Sequence, residues 1–411
     1  MGERVRKNAA FAEAKLIPPV RAPAGGEPSL ETPIVKIGSQ EAPRPKIAVY
    51  TIALNEAQHV ERWRRSASDA DYLVVADTGS TDDTVERLSH CGVRVHQIVI
   101  SPWRFDDARN ASLALIPPDA DICICLDMDE FLLPGWREAV EVAWQNGTTR
   151  LSYNFAPQCE ENGAHALEFR KSKIHSRWGY RWKRIVHEDL QRTGPAERET
   201  AIDALLIGQC QDPAKIRSQY LPMLERAHVE DPNDSQICFW LARDLMYAGL
   251  NERSAEKYLA YLALPTSNWP DERSEAMRFL ARVLPEKRLE WLQKSLVEAP
   301  HRREVWLDLA EFHHGLLDWQ NLYATCITGI EKTRHTGSYL DDRSAWGYRL
   351  YDLAALACSH LGLAAQGVTW GTKAVEYNPG DERLASNLAY YRSQMNESTP
   401  GQQAAAGSGL V

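Results

Sequence analysis

Ile122-Cys123-Ile124-Cys125-Leu126-Asp127-Met128-Asp129-Glu130 is the stretch whose reading decides the fold of this chain. It follows Pro117-Pro118-Asp119, has the length of a strand, and stops abruptly at Asp127, Asp129 and Glu130. That pattern reads as a buried strand whose C-terminal end carries charge. In open α/β sheets ligands sit beyond the carboxyl ends of the strands, and alternation sends Asp127 and Asp129 to the same side of the emerging chain. Two hard oxygen ligands so placed suit Mg²⁺ or Mn²⁺. The bland alternative is an acidic cap for the helix expected from about Pro134, and Asp-x-Asp by itself does not separate the two.

Outward from that strand, the pattern repeats. Ile47 to Leu54 is a β-rich run, and Asn55-Glu56 opens a helix to about Ser68. Tyr72 to Ala76 is a second buried strand, ending in Asp77-Thr78-Gly79-Ser80-Thr81-Asp82-Asp83-Thr84 before a helix over Val85 to His90. Val93 to Ile98 is a third, more exposed strand, and Phe105 to Leu115 suits a helix. This βαβαβ rhythm predicts a doubly wound sheet with its working edge after Leu54, Ala76 and Leu126. Ser80, Thr81 and Asp82 offer cap acceptors at the Gly79 turn, whereas Asp77 itself faces the crevice, where a base or ribose would donate to it. Neither G-x-G-x-x-G nor G-x-x-x-x-G-K-[ST] occurs, which argues against a dinucleotide or P-loop site.

After a helix over Trp136 to Trp144 and a strand over Thr149 to Phe155, the segment Phe169 to Leu190 interleaves Arg170, Lys171, Lys173, Arg177, Arg181, Lys183 and Arg184 with Trp178, Tyr180 and Trp182. Cations beside stacking rings fit a diphosphate or single-stranded nucleic acid, and a lysine-protected sheet edge is the plain alternative. His187-Glu188-Asp189 follow, a further metal ligand beside candidate bases or else a satisfied turn histidine.

From about Asp212 strands vanish and amphipathic helices alternate with short turns to about Met395. Trp306, Leu309 and Ala310 after Pro300 match the first helix of a tetratricopeptide repeat, as do Leu241 and Ala242 after Pro232, with Tyr351, Ala354, Gly362, Ala374 and Pro379 in another unit. The match between Pro265 and Ala299 is poor, so degenerate repeats are expected, with an extended face for a protein partner or a second copy. The expected organisation is a Pro/Ala-rich disordered leader over 1–45, an α/β domain over 46–211, an all-α helical-repeat domain over 212–396 and a disordered tail over 397–411.

Composition is that of a globular chain, 44% hydrophobic and 25% charged in 411 residues. No run reaches the roughly 18 apolar residues of a membrane span, and no secretory signal precedes the ordered part, so a cytoplasmic location is expected. The eight cysteines include no C-x-x-C pair, and a net charge of −9 disfavours a surface that grips nucleic acid throughout.

The segments Ala53-Leu54-Asn55-Glu56, Val75 to Thr84, Arg109-Asn110 and Leu126 to Glu130 resemble, in order and spacing, family-2 glycosyltransferases of the GT-A fold. The resemblance covers roughly residues 46 to 190, and Trp182 to Glu188 resembles the W…VHE ending of the branch that includes lipopolysaccharide-core glucosyltransferases. It implies a Rossmann-like GT-A sheet and a metal-dependent inverting transfer from a nucleotide-diphosphate sugar, a UDP-sugar in first place, to a glycan, peptide or protein. Asp77 would bind the nucleobase, with Thr51, Ala53 and Glu56 lining its pocket and Arg109 near the base or diphosphate. Asp127 would hold ribose or metal, Asp129 the metal, and His187 would complete coordination of Mn²⁺ or Mg²⁺. Glu188, then Asp189, would be the base. Two alternatives stand beside this reading: transfer to hydroxylated bases of DNA, and a catalytically silent adaptor built on the tetratricopeptide-like helices.

Overall fold

The apolar runs become strands where their residues can be covered on both faces. In the computed structural model, which describes residues 44–165, 168–210 and 220–397, β1 (Ile47–Ala53), α1 (Val60–Ser66), β2 (Tyr72–Asp77), α2 (Thr84–His90), β3 (Arg94–Gln97), α3 (Phe105–Ala114) and β4 (Ile122–Cys125) follow one another as βαβαβ units. β1 pairs parallel with both β2 and β4, and β2 with β3, so these strands lie in the order β3-β2-β1-β4. Ile47, Val49, Ile122 and Ile124 bury one face of the sheet, and Ala48, Tyr50, Cys123 and Cys125 the other. Trp63 of α1 closes the first layer, its indole N–H donating to the Leu126 carbonyl at 2.9 Å.

The sheet is not purely parallel. β5 (Glu130–Leu132), β6 (Arg150–Pro157), β7 (Phe169–Ser176) and β10 (Glu199–Gln209) complete it, with α4 (Trp136–Ala143) after β5, while β8 (Tyr180–Lys183) and β9 (Asp189–Arg192) pair antiparallel as a separate two-stranded sheet. The order continues β4-β7-β6-β10-β5, with β7 antiparallel between β4 and β6, and β5 antiparallel on the outer edge. A mixed α/β sheet therefore replaces the expected doubly wound one. The inserted strand β7 brings the basic Phe169–Ser176 run inward instead of leaving it on an edge.

The remainder is helical: α5 (Tyr220–Glu230), α6 (Ser235–Tyr247), α7 (Asn251–Ala263), α8 (Pro270–Val283), α9 (Arg288–Glu298), α10 (Arg303–Gly315), α11 (Trp319–Lys332), α12 (Arg349–His360), α13 (Ala364–Tyr377) and α14 (Glu382–Glu397). From α6 onward the helices pair, and α6 packs on α8, α10 on α12 and α12 on α14, so the first helix of each pair lines a common face. Small residues permit the close approach that repeats of this kind need. A Cβ at Gly329 of α11 would lie 2.7 Å from the Cβ of Trp306 in α10. The poorly matching stretch from Pro265 to Ala299 folds as the regular pair α8 and α9. The departure lies between α11 and α12, where residues 333–348 form a longer connection that folds back toward α6 and α8.

The α/β and helical parts share a core. Ile185 and Val186 pack with Leu224, Ile237, Leu241 and Leu245, and Arg104 and Arg184 pair with Glu230 and Asp234, each at 2.7 Å. The expected leader and tail, apart from Arg44, Pro45 and Glu397, and the expected boundary at 211/212 lie outside the described residues.

Candidate functional site

The ends of β1, β2 and β4 do meet at one edge, with Ala53 opposite Asp77 and Tyr50 opposite Cys125. The side chains there are largely occupied with one another. Asp77 is fully buried, and its carboxylate accepts from the backbone N–H groups of Gly79 and Ser80, both at 3.1 Å, so it caps its own turn. Thr51 and Ala53 are buried, and their carbonyls accept from Ser112 Oγ and Thr78 Oγ1. Glu56 is buried near the start of α1, its backbone N–H donating to Thr84 Oγ1 at 2.7 Å.

Asp127 sits inside a charge network. Arg109 Nη1 donates to it at 2.7 Å and Lys173 Nζ at 2.9 Å. Lys173 also reaches both oxygens of the buried Glu130 at 3.0 Å, Lys171 approaches Glu130 at 3.4 Å, and Arg109 Nε donates to Glu188 at 2.5 Å. Three cations, Arg109, Lys171 and Lys173, thus balance three carboxylates, Asp127, Glu130 and Glu188. Burial alone would raise the Asp127 carboxyl, but Arg109 and Lys173 outweigh it and hold the group well below the usual carboxylate range. Burial likewise opposes the Lys173 charge, and Asp127 with Glu130 overcomes it, keeping the ammonium protonated far above its ordinary value.

The expected metal set does not assemble. Asp129 is turned to the outer edge, accepting from Gln209 Nε2 at 2.9 Å. His187 has left-handed backbone (φ 51°) and stacks on Trp240 of α6, with ring centroids 4.7 Å apart. Among the described residues, no three His, Cys, Asp or Glu side chains converge as a metal-holding group. A divalent ion at Asp127 would have to displace an ammonium and a guanidinium that already neutralise it. Glu188 is held by Arg109, and Asp189 opens β9 with Arg184 Nη1 3.8 Å away.

Much of the basic aromatic run is also spent internally, with Trp178, Arg181 and Lys183 left exposed. Lys171 lies 3.2 Å from the Phe155 ring centroid, Arg170 binds Asn154 and Asp203, and the buried Arg177 donates to the carbonyls of Ile116 and Pro117. Asn110 clamps Trp182 by two backbone hydrogen bonds of 2.8 and 2.9 Å. Trp182 in turn donates to Tyr50 Oη, which is 2.9 Å from His175 Nε2. Lys171 and Lys173 stand two residues apart in Phe169–Ser176 and so share one face of the strand. Their partners were not legible there, because a strand's own periodicity does not name its neighbour.

The helical part carries the more open feature. A cleft of about 360 Å³ lies between α6, α8 and the 333–348 connection, lined by Trp240, Arg243, Tyr247, Phe279, Arg282 and Tyr339 among others. Tyr339, from that connection, packs at a tilt of 36° against Trp240, ring centroids 5.4 Å apart, and donates to Glu272 Oε2 at 2.7 Å. Beyond the cleft, the first helices are joined by ion pairs: Arg278 and Arg282 of α8 to Asp308 of α10, Arg349 of α12 to Glu311 of α10, and Arg383 of α14 to Asp352 of α12. Sequence reading missed these residues, since their pairing depends on which helices share a face.

No family model and no curated protein matches the chain. Solved structures similar to it include two described as TPR proteins. TTC0263, a thermophilic TPR protein of Thermus thermophilus, is 20% identical over 43% of this chain and 89% of that one, with a TM-score of 0.28. MamA from Desulfovibrio magneticus RS-1 is 12% identical over 40% and 86%, with a TM-score of 0.32. YrrB, described as a TPR protein with an unusual peptide-binding site, is 14% identical over 43% and 85%, with a TM-score of 0.33. The expected membership among GT-A glycosyltransferases, and with it the sugar-transfer activity and the nucleotide-sugar and DNA partners, is corrected at the site itself: the acidic strand ends that carried the resemblance are tied to arginine, lysine and backbone donors, in a sheet that is mixed and not doubly wound.

Proposed function

We propose that this chain is a binding protein whose helical-repeat part recognises a segment of a partner protein, with the α/β part as a non-catalytic platform. The observation that carries this reading is the cleft on the first-helix face, built where the lengthened 333–348 connection folds over α6 and α8. At about 360 Å³ it falls in the roughly 300–1,000 Å³ range of ligand-binding clefts, and aromatic rings with nearby arginines are the usual composition of protein contacts. The platform fixes the orientation of α6 through the stack of His187 on Trp240 and the Arg184–Asp234 pair. No helix among the described residues is long and apolar enough to cross a membrane.

The test is site-specific photo-crosslinking in cells. p-Benzoylphenylalanine at Tyr247, 70% exposed at the cleft, should give a discrete protein adduct, and the same group at Val142, 72% exposed on α4, should not. Absence of an adduct at Tyr247, or equal labelling at both positions, would overturn the reading.

A further inference from the structure

The fold brings together two thiols that stand 51 residues apart in the chain, Cys159 and Cys210, in one apolar cluster with Phe131 and Ala156. Cys159 follows β6 after Gln158, whose backbone is left-handed (φ 58°), and its N–H donates to the Gln209 carbonyl of β10 at 2.9 Å. Cys210 follows β10, its N–H donating to the Asp129 carbonyl at 2.9 Å and so continuing the ladder with β5. Its Sγ lies 3.1 Å from the Cys159 carbonyl oxygen. Two residues earlier, and so on the same side of the chain, a Cβ at Gly208 would lie 3.0 Å from the Cys159 Cβ. Both thiols therefore leave neighbouring strands on one face. Such strands run about 4.8 Å apart, inside the roughly 4.4–6.8 Å that a disulfide spans between Cα atoms. The bond asks for a rotation of the Cys210 side chain off the Cys159 carbonyl.

The two differ in access. Cys159 is 3% exposed, whereas Cys210 is half-buried at the strand end, so a small oxidant meets Cys210 first. Burial, with Cys210 beside it, also holds the Cys159 thiol above its ordinary value. Cys326 and Cys358, on the packed helices α11 and α12, are fully buried and lack that access. We infer that Cys159 and Cys210 form a modification site that a hydroperoxide converts reversibly to a disulfide. The Cys210 thiolate attacks one peroxide oxygen; an S–O bond forms as the O–O bond breaks, and the departing hydroxide is protonated to water. The Cys159 thiol then attacks the Cys210 sulfenic acid, an S–S bond forms, and a second water leaves with the Cys159 proton. The peroxide has taken two electrons, and exchange with a small dithiol returns both thiols. The bond clips the end of β6 to the end of β10 and holds the 158–165 loop, whose Glu161 pairs with Arg65 of α1 at 2.6 Å.

Hydrogen peroxide added to the reduced full chain tests it, with the remaining thiols blocked by iodoacetamide and the peptides mapped by mass spectrometry without reductant. A Cys159–Cys210 link within one chain should appear and vanish after dithiothreitol. Cys159→Ser should instead accumulate sulfenic acid at Cys210, trapped by dimedone, and Cys210→Ser should leave Cys159 a free thiol. The oxidised chain should melt about 5 °C or more above the reduced one, as a disulfide that fits the native strands does. Recovery of both cysteines as free thiols, a link between chains or at Cys326–Cys358 in its place, or a lower melting midpoint on oxidation would overturn the inference. So would a Cys159→Ser chain with wild-type far-UV circular dichroism that gains no dimedone at Cys210. The mapping of the unmutated chain decides the matter even where a variant fails to fold.

Discussion

Replacing Lys173 with methionine probes the network at the strand ends most sharply, because the change keeps an unbranched apolar stem and removes the ammonium with its charge and donors. In the wild type Lys173 Nζ contacts Asp127 at 2.9 Å and both oxygens of the fully buried Glu130 at 3.0 Å. Removing one partner of a buried ion pair costs about 3–5 kcal/mol, since the remaining charge stays desolvated. Here the loss is cushioned: Asp127 keeps Arg109 at 2.7 Å, and Glu130 keeps the Asp127 N–H at 3.0 Å and Lys171 at 3.4 Å. We therefore expect the lower end, about 3 kcal/mol. Urea unfolding of the full chain, followed by far-UV circular dichroism and tryptophan fluorescence, gives the number from the transition of the α/β part. Adding Glu130→Gln should recover a substantial part, because the stranded charge is then gone and the two changes are coupled. A single variant within about 0.5 kcal/mol of wild type, the range of ordinary surface substitutions, would refute the reasoning. So would a double variant no more stable than the single one.

Acid sensitivity should report on His175. Burial holds this imidazole neutral down to about 3, whereas the unfolded chain takes up its proton near the ordinary value of about 6.5. The unfolded state therefore binds the extra proton between those values, and stability should fall as pH drops through that window by up to about 1.4 kcal/mol per unit. Urea midpoints at stepped pH should show this slope flattened in His175→Gln, and an unchanged slope would count against it. Gly329→Val should destabilise the helical part by about 1–3 kcal/mol through overpacking against Trp306, read as a lower thermal midpoint. Asn110→Ala breaks two backbone hydrogen bonds to Trp182, so amides of β8 and β9 should exchange faster with solvent, by an amount set by about 1–3 kcal/mol of lost satisfaction.

Much of the architecture was legible in local pattern. Runs such as Ile47 to Ala53 and Ile122 to Leu126 are too apolar to lie anywhere but between covered faces, and the parallel pairing among β1 to β4 follows from their alternation with helices, whereas the strand order does not. Trp306, Leu309 and Ala310 marked a repeat helix because close helix packing restricts those positions to large and small residues in fixed alternation. Pairing across the sheet was not legible. Nothing within Phe169–Ser176 says that it enters between β4 and β6, yet that insertion converts a basic stretch from an apparent ligand surface into the counter-charges of Asp127 and Glu130. The same blindness affected Asp77: a carboxylate at a strand end can serve a ligand or its own turn, and only the Gly79 and Ser80 N–H groups decide for the turn. In the helical part, the sequence placed the irregularity between Pro265 and Ala299, and the longer link between α11 and α12 was not read from it. Its role as the lip of a cleft depends on Tyr339 reaching Trp240, almost a hundred residues earlier.

The central claim is that this chain binds and does not transfer. Release of nucleoside diphosphate should be followed for the full chain with a panel of nucleotide sugars, Mn²⁺ and the protein captured through Tyr247. The account predicts release no faster than from a boiled control, with the captured protein unchanged in mass. Sustained release, or a mass gain of one sugar on that protein, abolished by Asp127→Asn, would contradict it.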